Sequence, residues 1–284
     1  GFTVLIIFFC TRIITNAFYV DRRGGNFGIG LDSLMHPIRT ADFILENRLT
    51  GRILNDMNRG SWLIWRTRQP VFIDGRLEVM REEFFTKYHE SYVREGLYAL
   101  INKYQPQIVI FDYSYPEALL WDVQLKRMTN WRIIYWDETS VIYSRNDYAL
   151  EIPAMNFLGR LIEMGIDTTM DEGTVWAILK ATSKPKFICW LDGFFKKQYY
   201  PSELMRMAQY AIWNLEFRTA EILYCKALMR TEQHRDDIYL SLGKLYYVSQ
   251  TYDKALFCFE RVLNENPKNR IAKKFFEELK GLRY

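Results

Sequence analysis

The sequence predicts an α/β domain with a small, mostly parallel sheet, followed by an all-α array of paired helices and preceded by the end of a transmembrane helix. Three observations predict it. Between residues 37 and 150, short apolar runs of strand character alternate with stretches of helical periodicity. After Pro153 the strand signal disappears and helix spacing takes over, with the pattern that starts at Leu204 recurring 35 residues on at Tyr239. The chain also opens on an apolar run, Phe2 to Cys10. The expected organisation is residues 1–20 as the membrane-helix end, 21–36 as a linker, 37–150 as the α/β domain, 151–200 as irregular helices and 201–284 as helical repeats with a capping helix.

The opening run is too short to cross a bilayer that needs ~20 apolar residues, so it reads as the stub of a longer helix, continued after Arg12 by Ile13, Ile14, Ala17 and Phe18. A signal peptide would place basic residues first and small residues last, and that order is absent. Arg12, Arg22 and Arg23 flank the stub and by the positive-inside rule favour a cytoplasmic continuation. Gly24-Gly25-Asn26-Phe27-Gly28-Ile29-Gly30 lacks the preceding strand and third glycine of a dinucleotide fingerprint and is expected to be a flexible connector.

In the α/β region Ala41 to Leu49 is expected to be helical with Thr40 as its N-cap, Ile53 to Asn55 extended, Ser61 to Arg66 a short helix and Val71 to Asp74 a strand. Helices at Glu82 to Tyr92 and Leu97 to Tyr104, a strand at Ile108 to Asp112 and a helix at Pro116 to Met128 follow. Strands at Trp131 to Trp136 and Val141 to Ser144 are joined by four residues, short enough for a hairpin. Four extended segments end in an acid, at Asp56, Asp74, Asp112 and Asp137. An acid in that place caps the next helix or fixes a turn, which is its expected duty here. Because ligands of open α/β sheets bind beyond the carboxyl ends of strands, a pocket of Asp56, Asp74, Arg76, Asp112 and Asp137 is the alternative, with Arg76 bracing a carboxylate. No nucleophile or base histidine accompanies these acids, so no catalytic residue is assigned.

The runs Gly51 to Asp56, Gly60 to Trp65 and Val71 to Arg76, with Phe27 to Gly30, Pro37 to Phe43 and Trp131 to Tyr143, resemble the soluble part of certain bacterial polytopic membrane proteins. Those proteins often carry glycosyltransferase-like membrane regions of the GT-C, dolichyl-phosphate-mannose-transferase-like type. The resemblance spans roughly residues 25 to 145 and its short motifs are moderately specific. It implies a domain hung after the last membrane helix on the extracytoplasmic side, against the flanking arginines. No reaction is implied, since the catalytic acid of such enzymes lies in an early membrane loop.

The helical region matches the tetratricopeptide repeat pattern at Tyr239-x2-Leu242-Gly243-x2-Tyr246, Ala255-x3-Phe259 and Pro267, with Val262 where Ala is usual. Gly243 and Ala255 are small where paired helices cross, Tyr239, Tyr246 and Phe259 fill the space between them, and Pro267 is expected to start the next helix. Leu204, Met207, Ala208, Ala211, Ala220, Tyr224 and Ala227 form a degenerate copy without the proline. Ile271, Phe275, Leu279 and Leu282 form the buried face of a capping helix. Irregular helices at Phe157 to Met164, Val175 to Lys180 and Phe187 to Phe195 complete the array. By position in the repeat, Met205, Gln209, Ile212, Leu240, Lys244 and Tyr247 line a partner-binding groove, or else pack on neighbouring helices.

Composition narrows the function classes. With 49% hydrophobic and 25% charged residues the chain is not a disordered or low-complexity assembly, and 284 residues bury a core without staples. The net charge of +4 equals the excess of basic over acidic residues after Pro267, a solvated helix face without the stripe of a nucleic-acid binder. Cys10, Cys189, Cys225 and Cys258 lack metal or disulfide spacing, and His36, His89 and His234 stand apart, so neither metal nor cofactor is expected. The expected role is an extracytoplasmic, non-catalytic protein-interaction scaffold in a bacterial membrane protein, with a protein partner on the repeats and the membrane at the N-terminal segment. The alternative is an accessory domain of a lipid-linked-sugar glycosyltransferase, recognising glycan or acceptor.

Overall fold

The computed structural model describes residues 1–21, 27–76, 78, 80–93, 95–182 and 184–281. Its elements in chain order are α1 (Phe2–Ile14), α2 (Ala17–Asp21), α3 (Ile38–Glu46), β1 (Ile53–Asn55), α4 (Met57–Thr67), α5 (Glu82–Glu90), α6 (Gly96–Tyr104), β2 (Ile108–Phe111), α7 (Pro116–Arg127), β3 (Trp131–Trp136) and β4 (Val141–Arg145). Helices α8 (Phe157–Glu163), α9 (Glu172–Lys180), α10 (Lys186–Phe195), α11 (Ser202–Trp213), α12 (Phe217–Arg230), α13 (Arg235–Val248), α14 (Tyr252–Glu265) and α15 (Arg270–Gly281) follow. The chain is thus mostly helical with one small sheet. It divides into two compact units, residues 31–160 and residues 1–30 with 161–284.

In the first unit the sheet has the order β1-β2-β4-β3. β1 pairs parallel with β2, but β4 runs antiparallel to both β2 and β3. The expected mostly parallel sheet is therefore a mixed one. The reason is the hairpin: β3 and β4 must be antiparallel to turn within four residues, and it is the return strand that docks beside β2. Val71 to Asp74 is not a strand either, since only Val71 bridges β1, at Ile53. The Asn55 side chain takes the place of further pairing, accepting from Phe72 N at 2.9 Å and donating to the Ile73 carbonyl at 2.7 Å. Gly60 permits this approach: a Cβ there would lie 1.9 Å from the Ile73 carbonyl oxygen. Ile44, Ile53, Leu63, Ile108, Ile110 and Ile142 fill the core between the sheet and the helices α3 and α4. Thr40 is not an N-cap. It lies inside α3, and its hydroxyl donates to Asp137 at 2.9 Å.

The second unit begins with α1, which has no buried residue and ends at Ile14 before Asn16 turns left-handed at φ 67°. The expected single helix through residue 20 is broken there, and no described helix is long and apolar enough to cross a membrane. Gly24 to Asn26 of the expected connector lie outside the described residues.

Helices α11 and α12, and α13 and α14, form two hairpins closed by matching turns. Glu216 N reaches the Ala211 carbonyl at 2.9 Å, and 35 residues later Thr251 N reaches that of Tyr246 at 2.8 Å. Leu215 N and Gln250 N bond Ile212 and Tyr247, and both residues are left-handed, at φ 61° and 60°. This is the Schellman geometry, held twice without glycine. Gly243 sits where its hairpin closes tightest, since a Cβ would meet the Phe259 ring at 2.6 Å. Pro267 lies in the turn before α15 and does not start it; Asn269 caps that helix, accepting from Ala272 N at 3.0 Å. Phe275 stacks on Phe259 at 5.3 Å and Leu279 is buried, but Ile271 faces solvent and Leu282 lies outside the described residues.

Candidate functional site

The acids at the strand ends are built into the loops that follow them. Asp56 ends β1 and caps α4, its Oδ1 accepting from Arg59 N at 3.1 Å and its Oδ2 from Asp112 N at 2.5 Å. One carboxylate therefore ties the ends of the two parallel strands together. One turn into α4, Arg59 folds back under them. It is 2% exposed, pairs with Asp112, and donates to the carbonyls of Met35 at 2.7 Å and Thr139 at 3.1 Å. Asp112 also accepts from Ser114 N at 2.9 Å. Asp137, fully buried, accepts from Thr139 N, Ser140 N and the hydroxyls of Thr40, Tyr135 and Thr139. The Tyr113 hydroxyl, donating to the Asp137 carbonyl at 2.6 Å, joins this loop to the β2 end. Asp74 stands apart, accepting from Arg76 N at 2.9 Å and pairing with the Arg76 guanidinium at 2.5 Å.

Asp56, Asp112 and Asp137 thus converge around Arg59 and the 137–140 loop, whereas Asp74 and Arg76 form their own turn. All four acids accept a backbone N–H two or three residues ahead. Their electrostatics follow from setting. Burial drives Asp56 up to about 6 in spite of the nearby Arg59 charge. Asp74 is held below the usual carboxylate range by its Arg76 hydrogen bonds, which outweigh burial. Carboxylates committed to this many donors organise the loops they sit in. Sequence reasoning missed Arg59, for an arginine one turn into a helix carries no mark that it points inward.

On the helical hairpins, Gln209 and Lys244 are exposed at equivalent places on α11 and α13, with Met205, Ile212 and Leu240 half-buried beside them. Tyr247 follows the packing alternative. Its ring packs on Phe275 at 4.8 Å and its hydroxyl bonds Glu278, so it lies half-buried against α15. Beneath these helices is a charged lock. Lys254, buried in α14, reaches Glu221 of α12 at 3.0 Å and Glu172 of α9 at 2.7 Å, and Tyr246 donates to Glu221 at 2.9 Å. Burial works to raise Glu221, but its bonds from Lys254, Tyr246 and Arg218 bring it below the ordinary value.

The helical unit also holds a cleft of about 750 Å³ that the sequence did not announce, lined among others by Lys184, Cys189, Trp190, Glu232, His234 and Asp236. Among the described residues, His234, Asp236 and Asp237 could offer ligand atoms within 4.8 Å of one another. They occupy the cap and first turn of α13, where the helix dipole favours acids without any ion. Burial raises the Cys189 thiol, which disfavours its thiolate form.

Neither a family model, a curated protein nor a solved structure matches this chain.

Proposed function

We propose that the chain is a non-catalytic interaction module of a bacterial membrane protein, presented on the extracytoplasmic side, whose helical hairpins form a tetratricopeptide-type array that binds a protein partner. The observation that carries this reading is the pair of matching turns at Leu215 and Gln250, 35 residues apart, which sets α11 and α13 in equivalent settings. Equivalent helices present equivalent surfaces, and Gln209 and Lys244 are the exposed polar members of theirs. The membrane part of the reading is supported by α1, apolar from Val4 to Cys10 and without a buried residue. The side of the membrane rests on the resemblance described above.

The test is chemical crosslinking of the full-length protein in native membranes, comparing wild type with a Gln209→Glu/Lys244→Glu variant and identifying captured species by mass spectrometry. The expected result is one protein species lost in the variant while the melting temperature stays unchanged. Identical capture by both proteins would overturn the reading.

A second reading, an accessory domain that recognises glycan or acceptor for a lipid-linked-sugar glycosyltransferase, is favoured by a different observation. Trp62 stacks on His36 at 4.8 Å and lies 4.9 Å from the exposed Trp65, a ring surface suited to the apolar face of a sugar. Quenching of fluorescence by oligosaccharides in wild type but not in Trp65→Ala would move the assignment to it.

A further inference from the structure

We infer that α10 is a second membrane-contacting element, lying in the headgroup region of an anionic bilayer beside α1. This rests on the membrane attachment proposed above and adds to it a surface formed within the folded unit.

The orientation of α10 is fixed by its inward side. Cys189 is buried, and Gly193 lets α2 come so close that a Cβ there would lie 3.2 Å from that of Ala17. The Gly193 carbonyl also accepts from the Thr15 hydroxyl at 2.5 Å. Residues 189 and 193 therefore face the protein, and the opposite side of a helix in water is expected to be polar. Here it is not. Phe187 is 66% exposed, Ile188 42% and Phe195 82%. Phe187, Trp190 and Phe194 form a ladder of rings 6.1 and 4.9 Å apart, and the ladder continues into α1 through Phe8, 5.4 Å from Phe194. α1 then extends the surface with exposed Phe2, Leu5, Ile7 and Phe9. Two neighbouring helices thus show their apolar residues outward, as one continuous patch.

Charge identifies the occupant. Lys184 and Lys196 stand at the two ends of α10, both paired with Asp192, at 3.1 and 3.0 Å. Lys197 is exposed beyond them. Arg12 lies over the Phe8 and Phe194 rings at 5.8 and 5.9 Å. Lys184 and Arg12 share their cleft with Glu232, Asp236 and Glu265, so the positive charge of the rim is concentrated at the C-terminal end of α10, at Lys196 and Lys197. Trp and Phe at the centre with long cationic side chains at the edges is the arrangement of an interfacial helix on anionic lipid, where aromatic rings enter the acyl boundary and lysines reach phosphate. A protein groove of comparable apolarity would need polar specificity groups among the rings, and Phe187, Ile188, Trp190 and Phe195, the exposed large side chains of α10, are all apolar or aromatic. At ~1.5 Å per residue the ten residues of α10 fall short of the ~30 Å hydrocarbon core, which suits contact and not crossing.

The experiment is flotation of the full chain with vesicles of phosphatidylcholine, with and without phosphatidylglycerol. Wild type is expected to float, more strongly with phosphatidylglycerol. A Phe187→Ser/Trp190→Ser/Phe195→Ser variant is expected to bind at least tenfold more weakly with unchanged circular dichroism. If that variant misfolds, Lys196→Gln/Lys197→Gln serves instead, with a roughly tenfold loss confined to the phosphatidylglycerol vesicles. Binding unchanged in the α10 variants but abolished by Leu5→Ser/Ile7→Ser would overturn the inference and leave the membrane attachment standing. Failure of wild type to float on either vesicle would overturn both. A lipid-independent dimer in sedimentation, broken by the α10 changes, would overturn it in favour of a second copy of the chain.

Discussion

Residues 31–160 hold their loops with side chains, whereas residues 161–281 hold theirs with backbone turns. In the first unit Asp56, Arg59, Asp112, Asp137 and Asn55 each bridge segments that are distant in sequence, through charged or amide groups that are almost wholly buried. In the second, a six-residue turn repeated at Leu215 and Gln250 and a missing side chain at Gly243 do the same work, and the buried charges are Lys254 with Glu221, and Arg235 on the carbonyls of Leu228 and Thr231. The difference teaches where each unit is vulnerable. The first depends on particular chemical groups that fail one at a time, and the second on spacing that tolerates change of residue so long as volume and turn geometry are kept.

Removing Arg59 should show this most strongly. Arg59→Met leaves the Asp56 and Asp112 carboxylates buried without their cation, and a loss of ~3–5 kcal/mol is expected. Hydrogen exchange read by mass spectrometry should place the loosening in residues 31–160; equal loosening in the helical unit would break the comparison.

The pH dependence of Asp56 comes next. Its native value of about 6 lies above the ordinary 3.8, so between those values the native chain keeps a proton that the unfolded chain has released. Stability of the first unit is therefore expected to fall as pH rises from about 4 to about 6, by up to ~3 kcal/mol, and to be flat on either side. Urea titrations across that range check it, and Asp56→Asn should abolish the slope even though it loses the bond from Asp112 N. A slope that persists in the variant would show that another buried acid carries it.

Gly243→Val should cost ~1–3 kcal/mol through collision with Phe259, and Phe259→Leu in the same chain should recover part of it. Thermal melts of the single and double variants give the coupling, and additive losses would show that the two helices do not meet there as described. Smallest is the effect at the turns: Leu215→Gly and Gln250→Gly relieve a left-handed conformation and should each stabilise by ~0.5–1 kcal/mol. Gains of similar size at both would sharpen the equivalence of the two hairpins; opposite signs would dissolve it.

What the sequence made legible follows the same division. The turn duties of Asp56, Asp74, Asp112 and Asp137 could be read because an acid directly after a strand has few local alternatives. The close crossing at Gly243 could be read from the residues spaced around it. Arg59 could not, because its role depends on the convergence of β1, β2 and the 137–140 loop. The antiparallel return of β4 beside β2 is likewise a choice among tertiary neighbours, invisible to alternation of helix and strand patterns. Tyr247 has the spacing of a groove residue, but its ring and hydroxyl are taken up by Phe275 and Glu278 of α15, and local spacing carries no record of that. The turns at Leu215 and Gln250 lacked their usual signal, glycine, and only their hydrogen bonds disclose them. As for the candidate site, its acids were named from the sequence, but their convergence on an arginine was not.

The amide of Asn55 has a consequence beyond its own unit. β1 is an edge strand, and an edge with free backbone groups is a template onto which another chain can add in concentrated solution. Here the open side is occupied by the Val71 bridge and by a side chain that acts as one residue of a missing strand. Asn55 therefore protects colloidal behaviour as much as folding: an alanine in its place would uncover the rim of the sheet and invite strand-by-strand growth between molecules.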